Sequence, residues 1–207
     1  TTGEAIFASD DFFGLMDATE GIVAYPFGGI DIAVGRMLVS DNAQAQEMVN
    51  KVLEYHDTKS YGNWRNNFVL ISDDADQSSD ASLQSRQNSL ADLIAVEKPF
   101  LNMDKILLDS YTQEASAGGS RYPKARTDIF NAFEKGALVF NYLGHGGEDG
   151  LAGERIWEKS DGQNLNNQYK YPLFITITCE FSRFDDPTRP TAGEYTFWNP
   201  KGGAISM

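Results

Sequence analysis

Two apolar segments of this chain lead directly into residues with reactive side chains. Residues 173–178 precede Cys179, the only cysteine, and residues 137–143 precede a Gly-His-Gly turn centred on His145. Short, continuous apolar runs are typical of buried strands in a parallel sheet. The carboxyl ends of such strands lie at one edge of the sheet, where open α/β folds place their chemistry. The pattern therefore predicts an α/β fold with a thiol and an imidazole at the same sheet edge.

Strand-like and helix-like segments alternate along the rest of the chain. Ser40 and Asp41 offer an N-cap for the first predicted helix, and Thr127 is predicted to cap the last one. Two polar segments, 148–171 and 180–200, are predicted to be loops, the first with one short helix. The alternation indicates a mostly parallel sheet flanked by helices. The predicted strands are residues 30–36, 67–71, 105–108, 137–143, 173–178 and a last one from residue 202, and the predicted helices are residues 43–56, 83–96 and 128–134.

Charge and cysteine content exclude several classes of partner and site. The 207 residues carry a formal net charge of −13, which would repel a nucleic acid or an anionic membrane surface, so no nucleic-acid partner is expected. One cysteine allows neither an internal disulfide nor a thiolate metal cluster, and no cofactor is predicted. The chain starts at Thr1 and contains no apolar run of about 20 residues and no export leader. We therefore expect a fragment of a longer protein, with any export signal outside it.

His145 and Cys179 are suited to nucleophilic catalysis. A cysteine attacks as the thiolate, and a nearby imidazolium favours that form below the ordinary thiol pKa of about 8.5. The imidazolium can then give its proton to a leaving amine, and the backbone N–H groups of Gly146 and Cys179 are predicted to face the developing oxyanion. Each residue alone also fits a structural role, since a lone cysteine at a strand end often acts as a small core residue.

Two motifs around these residues carry a family resemblance. Residues 141–148, Asn-Tyr-Leu-Gly-His-Gly-Gly-Glu, and residues 178–180, Thr-Cys-Glu, resemble the histidine and cysteine motifs of gingipain-type cysteine peptidases of family C25. Residues 179–187 are more specifically similar to the sortases of the Bacteroidetes type IX secretion system. The similarity covers nearly the whole chain, with further matching segments at residues 9–14, 31–36, 51–55, 193–195 and 199–204.

The resemblance implies a fold and a domain organisation. Gingipain-type peptidases have a caspase-like α/β fold, so residues 1–207 are expected to form part of one such domain. Within it, residues 1–66 are expected to be an N-terminal part with one strand and one helix, and residues 67–207 the catalytic core.

The resemblance also implies roles for individual residues. Cys179 is the expected nucleophile, His145 its proton-transfer partner and Asp74 the acidic residue that orients the imidazole, in a position where the relatives carry glutamate. Two other interpretations of residues 72–76 stay open: a solvated loop, or an oxygen-rich cation site with Asp73 and Asp76 as ligands, so a metal site is left undecided.

Two further residues are candidates for substrate contact. Leu83 matches the position where arginine-specific gingipains place a carboxylate in the primary pocket, so a requirement for arginine is not expected. Glu148, in the loop after His145, is a second candidate, although a charged surface loop is the commoner outcome. Arg183, Asp185 and Asp186 are predicted to form an ion network that braces the loop after Cys179.

The resemblance finally implies a function. A sortase of this kind removes the C-terminal signal domain of type IX secretion cargo and links the cargo to surface lipopolysaccharide. The expected partners are protein substrates that carry the C-terminal secretion signal, other outer-membrane components of the secretion system and the lipopolysaccharide acceptor. The expected location is the cell surface or outer membrane after export. The alternatives are a gingipain-like hydrolytic endopeptidase and a non-catalytic caspase-like structural domain.

Overall fold

The computed structural model of the protein describes residues 10–17 and 30–207. The chain divides into two compact units, Thr1–Val39 and Ser40–Met207. In the described part of the first unit, a 3₁₀ turn spans Asp11–Gly14, and Arg36 is hydrogen-bonded to Asp10. The strand predicted at residues 30–36 is wrong, because these residues are exposed and form no ladder with any strand of the described chain. The predicted division at residue 66 stays a prediction.

The second unit contains the regular elements in an alternating order. None of the helices in the described ranges is both long enough and apolar enough to cross a membrane. The helices are α1 (Asn42–His56), α2 (Leu83–Glu97), α3 (Pro123–Lys135), α4 (Lys159–Asn164) and α5 (Ala192–Trp198). The strands are β1 (Asn67–Ser72), β2 (Asn102–Leu107), β3 (Glu114–Ser116), β4 (Gly119–Arg121), β5 (Val139–Leu143), β6 (Gly146–Gly147), β7 (Gly150–Leu151), β8 (Trp157–Glu158) and β9 (Leu173–Ile177).

Four parallel strands form the central sheet, in the order β2-β1-β5-β9. The short strands pair separately, as a hairpin of β3 with β4 and a small antiparallel sheet of β6, β7 and β8. Helices between the central strands supply the crossovers that parallel pairing requires. The predicted α/β class with a parallel sheet flanked by helices is confirmed.

An aromatic cluster packs helix α3 against the central sheet. Phe133 of α3 stacks on Phe140 of β5 with ring centroids 3.8 Å apart, and Trp157 lies 4.9 Å from Phe133. Phe174 of β9 meets Phe133 edge to face at 5.6 Å. Fully burying a large apolar side chain contributes about 1.5–3 kcal/mol. The cluster therefore stabilises the packing of α3 against β5 and β9, the strands that precede His145 and Cys179.

Local chemistry explains where the predicted boundaries differ from the structure. Helix α3 begins at Pro123, a residue suited to the first helical position, so Thr127 lies inside the helix and donates a hydrogen bond to the Pro123 carbonyl instead of capping. The segment predicted as a loop at residues 180–200 contains α5, which begins with a capping box between Thr191 and Glu194. The strand predicted from residue 202 is reduced to one isolated bridge between Leu173 and Ser206.

A buried lysine joins helix α1 to helix α5. Lys51 is 2% exposed, and its Nζ donates a 2.8 Å hydrogen bond to the carbonyl of Phe197 in the last turn of α5. The same amine lies 5.1 Å from the centroid of the Tyr171 ring. Burial lowers the pKa of Lys51 to about 7, from an ordinary value of 10.5, because the charged amine is poorly solvated there.

This pKa shift predicts a specific pH dependence of stability. Between pH 7 and pH 10 the unfolded chain holds a proton on Lys51 that the folded chain releases, so the free energy of unfolding rises with pH over that interval. We expect Lys51→Met to abolish most of this rise, which is on the order of a few kcal/mol. Urea denaturation of both proteins at pH 7 and pH 9.5 measures it. The control Lys135→Met removes an exposed lysine of α3 and is expected to keep the rise; equal pH slopes in wild type and Lys51→Met would contradict the assignment.

Candidate active site

The register of the central sheet places His145 and Cys179 at the same edge. Leu143 of β5 pairs with Ile177 of β9, and the two strands run parallel. His145 follows Leu143 by two residues, and Cys179 follows Ile177 by two residues. The N–H of Gly144 donates a 3.3 Å hydrogen bond to the carbonyl of Ile177, so the two strand ends stay joined past the ladder. The Cys179 thiol is free and exposed to solvent.

A buried aspartate fixes the backbone and the ring of His145. Asp73, directly after β1, accepts a 2.8 Å hydrogen bond from the His145 backbone N–H through Oδ2, and the same oxygen lies 3.0 Å from Nδ1 of the imidazole. The Tyr142 hydroxyl donates a 2.6 Å hydrogen bond to the His145 carbonyl. Together these contacts hold the imidazole at the sheet edge, with its Nδ1 in contact with the Asp73 carboxylate.

The glycines on both sides of His145 are required by close approach. A Cβ on Gly144 would lie 2.3 Å from Cβ of Asp73, and a Cβ on Gly146 would lie 2.5 Å from Oγ1 of Thr178. Neither distance is compatible with a side chain, so only glycine allows the turn to pass between the ends of β1 and β9. The Gly-His-Gly motif of the sequence therefore has a structural reason, which is to bring His145 against Asp73.

Contacts with carboxylates set the protonation behaviour of His145. The hydrogen bond to Asp73 raises the pKa of the imidazole, with further Coulombic contributions from Asp73 and Asp80. Burial raises the pKa of the Asp73 carboxyl, and its hydrogen bonds with His145 oppose that rise. The arrangement favours the imidazolium form of His145, which is the form that can give a proton to a leaving group.

The orienting contact expected for Asp74 is made by Asp73 instead. Oδ2 of Asp74 accepts a 2.9 Å hydrogen bond from the Tyr122 hydroxyl and lies 3.5 Å from the Gln113 amide nitrogen. Both aspartates lie beyond Ser72, the last residue of β1, and only the Asp73 carboxylate is hydrogen-bonded to His145. The expectation was therefore one residue away from the observed contact.

A second carboxylate faces the other nitrogen of the imidazole. Oδ1 of Asp80 lies 3.7 Å from Nε2 of His145, and the Asp80 side chain is buried. Hydrogen bonds from the Gln77 backbone N–H at 3.0 Å and the Ser79 hydroxyl at 3.0 Å hold it in place. The His145 ring is thus paired with two carboxylates rather than with the thiol.

An open cleft of about 840 Å³ lies beside His145. Glu148 lines it, but the carboxylate is buried and paired with Arg183 at 3.1 Å and with Arg189 at 2.7 Å. Arg183 also pairs with Asp185 at 2.6 Å, as predicted, whereas the Asp186 carboxylate of the predicted network accepts hydrogen bonds from the N–H and hydroxyl of Thr188. Leu83 begins α2, is partly buried and does not line this cleft. The cleft is lined by residues of the loops after His145 and Cys179: His145, Gly146, Gly147, Glu148, Asp149, Gly150, Ala152, Gly153, Arg155, Trp157, Glu158, Glu180, Arg183 and Arg189.

The family follows from comparison of the whole sequence. A family model described as Peptidase family C25 matches residues 2–207. The chain belongs to peptidase family C25. No individual curated protein matches this C25 chain by sequence.

Solved structures share the fold of the C25 chain. The Arg-specific cysteine proteinase gingipain R (RgpB) superposes with a TM-score of 0.72 at 17% identity, over 96% of this chain and 43% of that chain. A complex of the pro- and mature domains of Porphyromonas gingivalis RgpB gives 0.59 at 18% identity, over 77% and 36%. A third structure, described as a protease, gives 0.55 at 20% identity, over 81% and 34%. The described sheet and helices therefore adopt the caspase-like gingipain fold, and the chain spans less than half the length of these structures.

Two contributors to the C25 site were missed by sequence reasoning. The sequence indicates Asp73 only as a possible cation ligand, because a run of acidic residues does not show which one faces the imidazole. Asp80 lies in a serine-rich stretch whose only signal is its spacing from Gln77, which forms a capping box in the structure. Residue-type patterns point to Cys179 and His145 as candidates, but they do not reveal the two carboxylates that contact His145.

Proposed function

We propose that this chain forms the catalytic part of a cysteine peptidase with Cys179 as nucleophile and His145 as proton donor. The observation that carries the proposal is the register of β5 and β9, which sets the two residues two positions beyond paired strand ends. Membership of family C25 supports it. Hydrogen bonds that pair catalytic groups are often formed only when substrate is bound, so an imidazole held by carboxylates in the free protein is compatible with this role.

The proposed reaction proceeds through an acyl-enzyme. The Cys179 thiolate attacks the scissile carbonyl, and a C–S bond forms as the peptide C–N bond breaks. The His145 imidazolium gives its proton to the departing amine, while Asp73 orients the ring and stabilises its charge. The backbone N–H groups of Gly146 and Cys179 are proposed to stabilise the oxyanion. A second nucleophile then attacks the thioester and releases the thiol.

We further propose that the second nucleophile is an amine, so that the enzyme is a sortase similar to PorU of the type IX secretion system. The motif from Cys179 to residue 187, together with residues 199–204, supports this choice within family C25. The proposed substrates are secreted proteins with a C-terminal signal domain, and the proposed acceptor is an amine of surface lipopolysaccharide. The proposal places the enzyme at the outer membrane after export, with other secretion components as partners.

The charges of the cleft support a specificity other than arginine. An arginine side chain needs an unpaired carboxylate in its pocket, but Glu148, the buried carboxylate of the cleft, is already neutralised by Arg183 and Arg189. Leu83, which matches the position of the pocket carboxylate in arginine-specific relatives, is apolar. We therefore propose cleavage ahead of a small or polar residue.

Product analysis tests the proposed transfer. We expect cargo protein incubated with the enzyme and an amino-sugar acceptor to give a conjugate whose mass equals cargo plus acceptor less the departing segment. Mass spectrometry of the new C-terminus measures the ratio of conjugate to free acid, and Cys179→Ala provides the blank. A free carboxyl terminus alone, at all acceptor concentrations, would contradict the sortase assignment and support a hydrolytic endopeptidase. No cleavage by wild-type enzyme would support the non-catalytic alternative.

A further inference from the structure

Three buried carboxylates meet beneath His145. One carboxylate oxygen from each of Asp73, Asp74 and Glu154 lies within 4.8 Å of one from each of the others. The three residues are 2%, 6% and 6% exposed, respectively. Asp73 and Asp74 follow strand β1, whereas Glu154 belongs to the loop between β7 and β8, so the cluster joins two separate parts of the chain.

Two oxygens of this cluster are buried without a hydrogen-bond donor. Oδ1 of Asp74 and Oε2 of Glu154 have no partner in the described part of the chain. The other oxygen of each residue faces the Gln113 amide nitrogen, at 3.5 Å from Asp74 and 3.2 Å from Glu154. An unsatisfied buried carboxylate oxygen is costly, and native structures satisfy such atoms with a protein group, water or an ion.

The basic side chains nearby, Arg155 and His145, do not neutralise the negative charge of Asp74 and Glu154. Arg155, the neighbour of Glu154, pairs with Glu158 at 3.7 Å instead. His145 contacts Asp73 alone among the three carboxylates. In the described part of the chain, neither Asp74 nor Glu154 forms an ion pair with a basic side chain, so a bound cation could balance their charge.

We propose that Asp73, Asp74 and Glu154 bind a calcium ion. All of the donors are oxygens, which suits Ca²⁺ and does not suit zinc, whose protein sites usually include nitrogen or sulfur. The two unpartnered oxygens supply ligands, and Oδ1 of Asp73, which accepts a 3.2 Å hydrogen bond from the Asp74 N–H, offers a third. Rotation of the Gln113 amide by half a turn would present its oxygen as another ligand.

By binding Glu154 together with Asp73 and Asp74, the ion would link the loop between β7 and β8 to the end of β1. Ala152, two residues before Glu154, and Arg155, directly after it, both adopt positive φ angles, 61° and 55°, so the loop is held in an uncommon backbone conformation at this point. Binding here would stabilise the wall of the cleft and leave the thiol and Nε2 of His145 untouched.

Calcium titration of the full chain tests this site without any peptidase assay. After removal of ions with a chelator, we expect added Ca²⁺ to raise the melting temperature in a saturable manner, because the ion binds the folded state alone. Terbium in place of calcium should show luminescence sensitised by Tyr122, whose hydroxyl is 2.9 Å from Asp74. Tyr122→Phe should weaken this luminescence while the calcium-induced shift persists.

The variant Glu154→Gln separates ion binding from a structural effect. It keeps the shape of the side chain and removes one of the clustered charges, so we expect a higher melting temperature without calcium and at least a tenfold loss of calcium affinity. The matched control Glu148→Gln changes another buried glutamate, which lies between β6 and β7 and is already paired with two arginines, and it is expected to retain calcium affinity. No saturable calcium effect in wild type, or equal affinity in Glu154→Gln, would overturn the proposal. Either result leaves the proposed peptidase reaction to be judged by its own product analysis.

Discussion

Replacing Cys179 with alanine is expected to abolish cleavage of cargo protein, with a loss of at least about 10³-fold in kcat. Cys179 is the only cysteine of the chain, so no second thiol can substitute as nucleophile. The side chain is exposed and makes no core contact, so the variant should keep the stability of the wild type. Time courses of cargo cleavage, with urea denaturation of both proteins, measure the effect.

Alkylation of the thiol provides the independent control for this result. At pH 6, where the imidazolium of His145 is favoured, we expect a small electrophile to label Cys179 at least tenfold faster in wild type than in His145→Ala. The assay is run with a chelator present, so that no metal alters the charge on Asp73. Equal labelling rates in the two proteins would mean that the imidazole and the thiol do not act together.

The second large effect is expected from the pair Asp73→Asn and Asp74→Asn. Asp73 contacts both the backbone N–H and Nδ1 of His145, so its replacement should misorient the imidazole and lower kcat by about 10²–10⁴-fold. Asp74 contacts Tyr122 and Gln113 instead, so Asp74→Asn should cost less than tenfold. Initial rates at saturating cargo measure both. A larger loss in Asp74→Asn than in Asp73→Asn would restore the role that the family resemblance implied for Asp74.

Asp73→Asn is also expected to change how the free energy of unfolding depends on pH. The folded-state pKa of His145 is raised above the unfolded value of about 6.5, so its pairing with Asp73 contributes stability below that pH and loses it as the pH rises through the folded-state pKa. Asp73→Asn should remove this contribution and lower the pKa of His145. The chain has two histidines, so NMR titration with His56→Gln as the assignment control resolves the ring of His145.

The sequence predicts those strands that consist mainly of apolar residues. Apolar runs mark β1, β5 and β9, and this signal locates the strands that carry His145 and Cys179. On β9 only Phe174 is buried, whereas Leu173, Ile175 and Ile177 are exposed, so the run there is apolar without being covered on both faces. Helix α5 was missed because it has seven residues, too few for a helical period to stand out, and only its capping box marks its start.

Details of the site depend on contacts between distant segments, which patterns do not reveal. Choosing Asp73 over Asp74 requires knowing the path of the chain after Ser72, the end of β1, relative to the turn that carries His145. The contact between Asp80 and His145 depends on the path of a 3₁₀ turn after β1. Residue types therefore indicated the chemistry, while the tertiary fold determined the partners.

The order of the site residues along the chain has a consequence for when activity arises during folding. Asp73 and His145 are 72 positions apart, and Cys179 follows a third strand that pairs with β5 in parallel. Parallel pairing between distant segments has a high contact order and forms slowly. A partly folded chain has no paired strand ends, so the proposed site of Cys179 and His145 assembles only once the central sheet is complete. Activity should consequently appear with the slowest refolding phase and never before it.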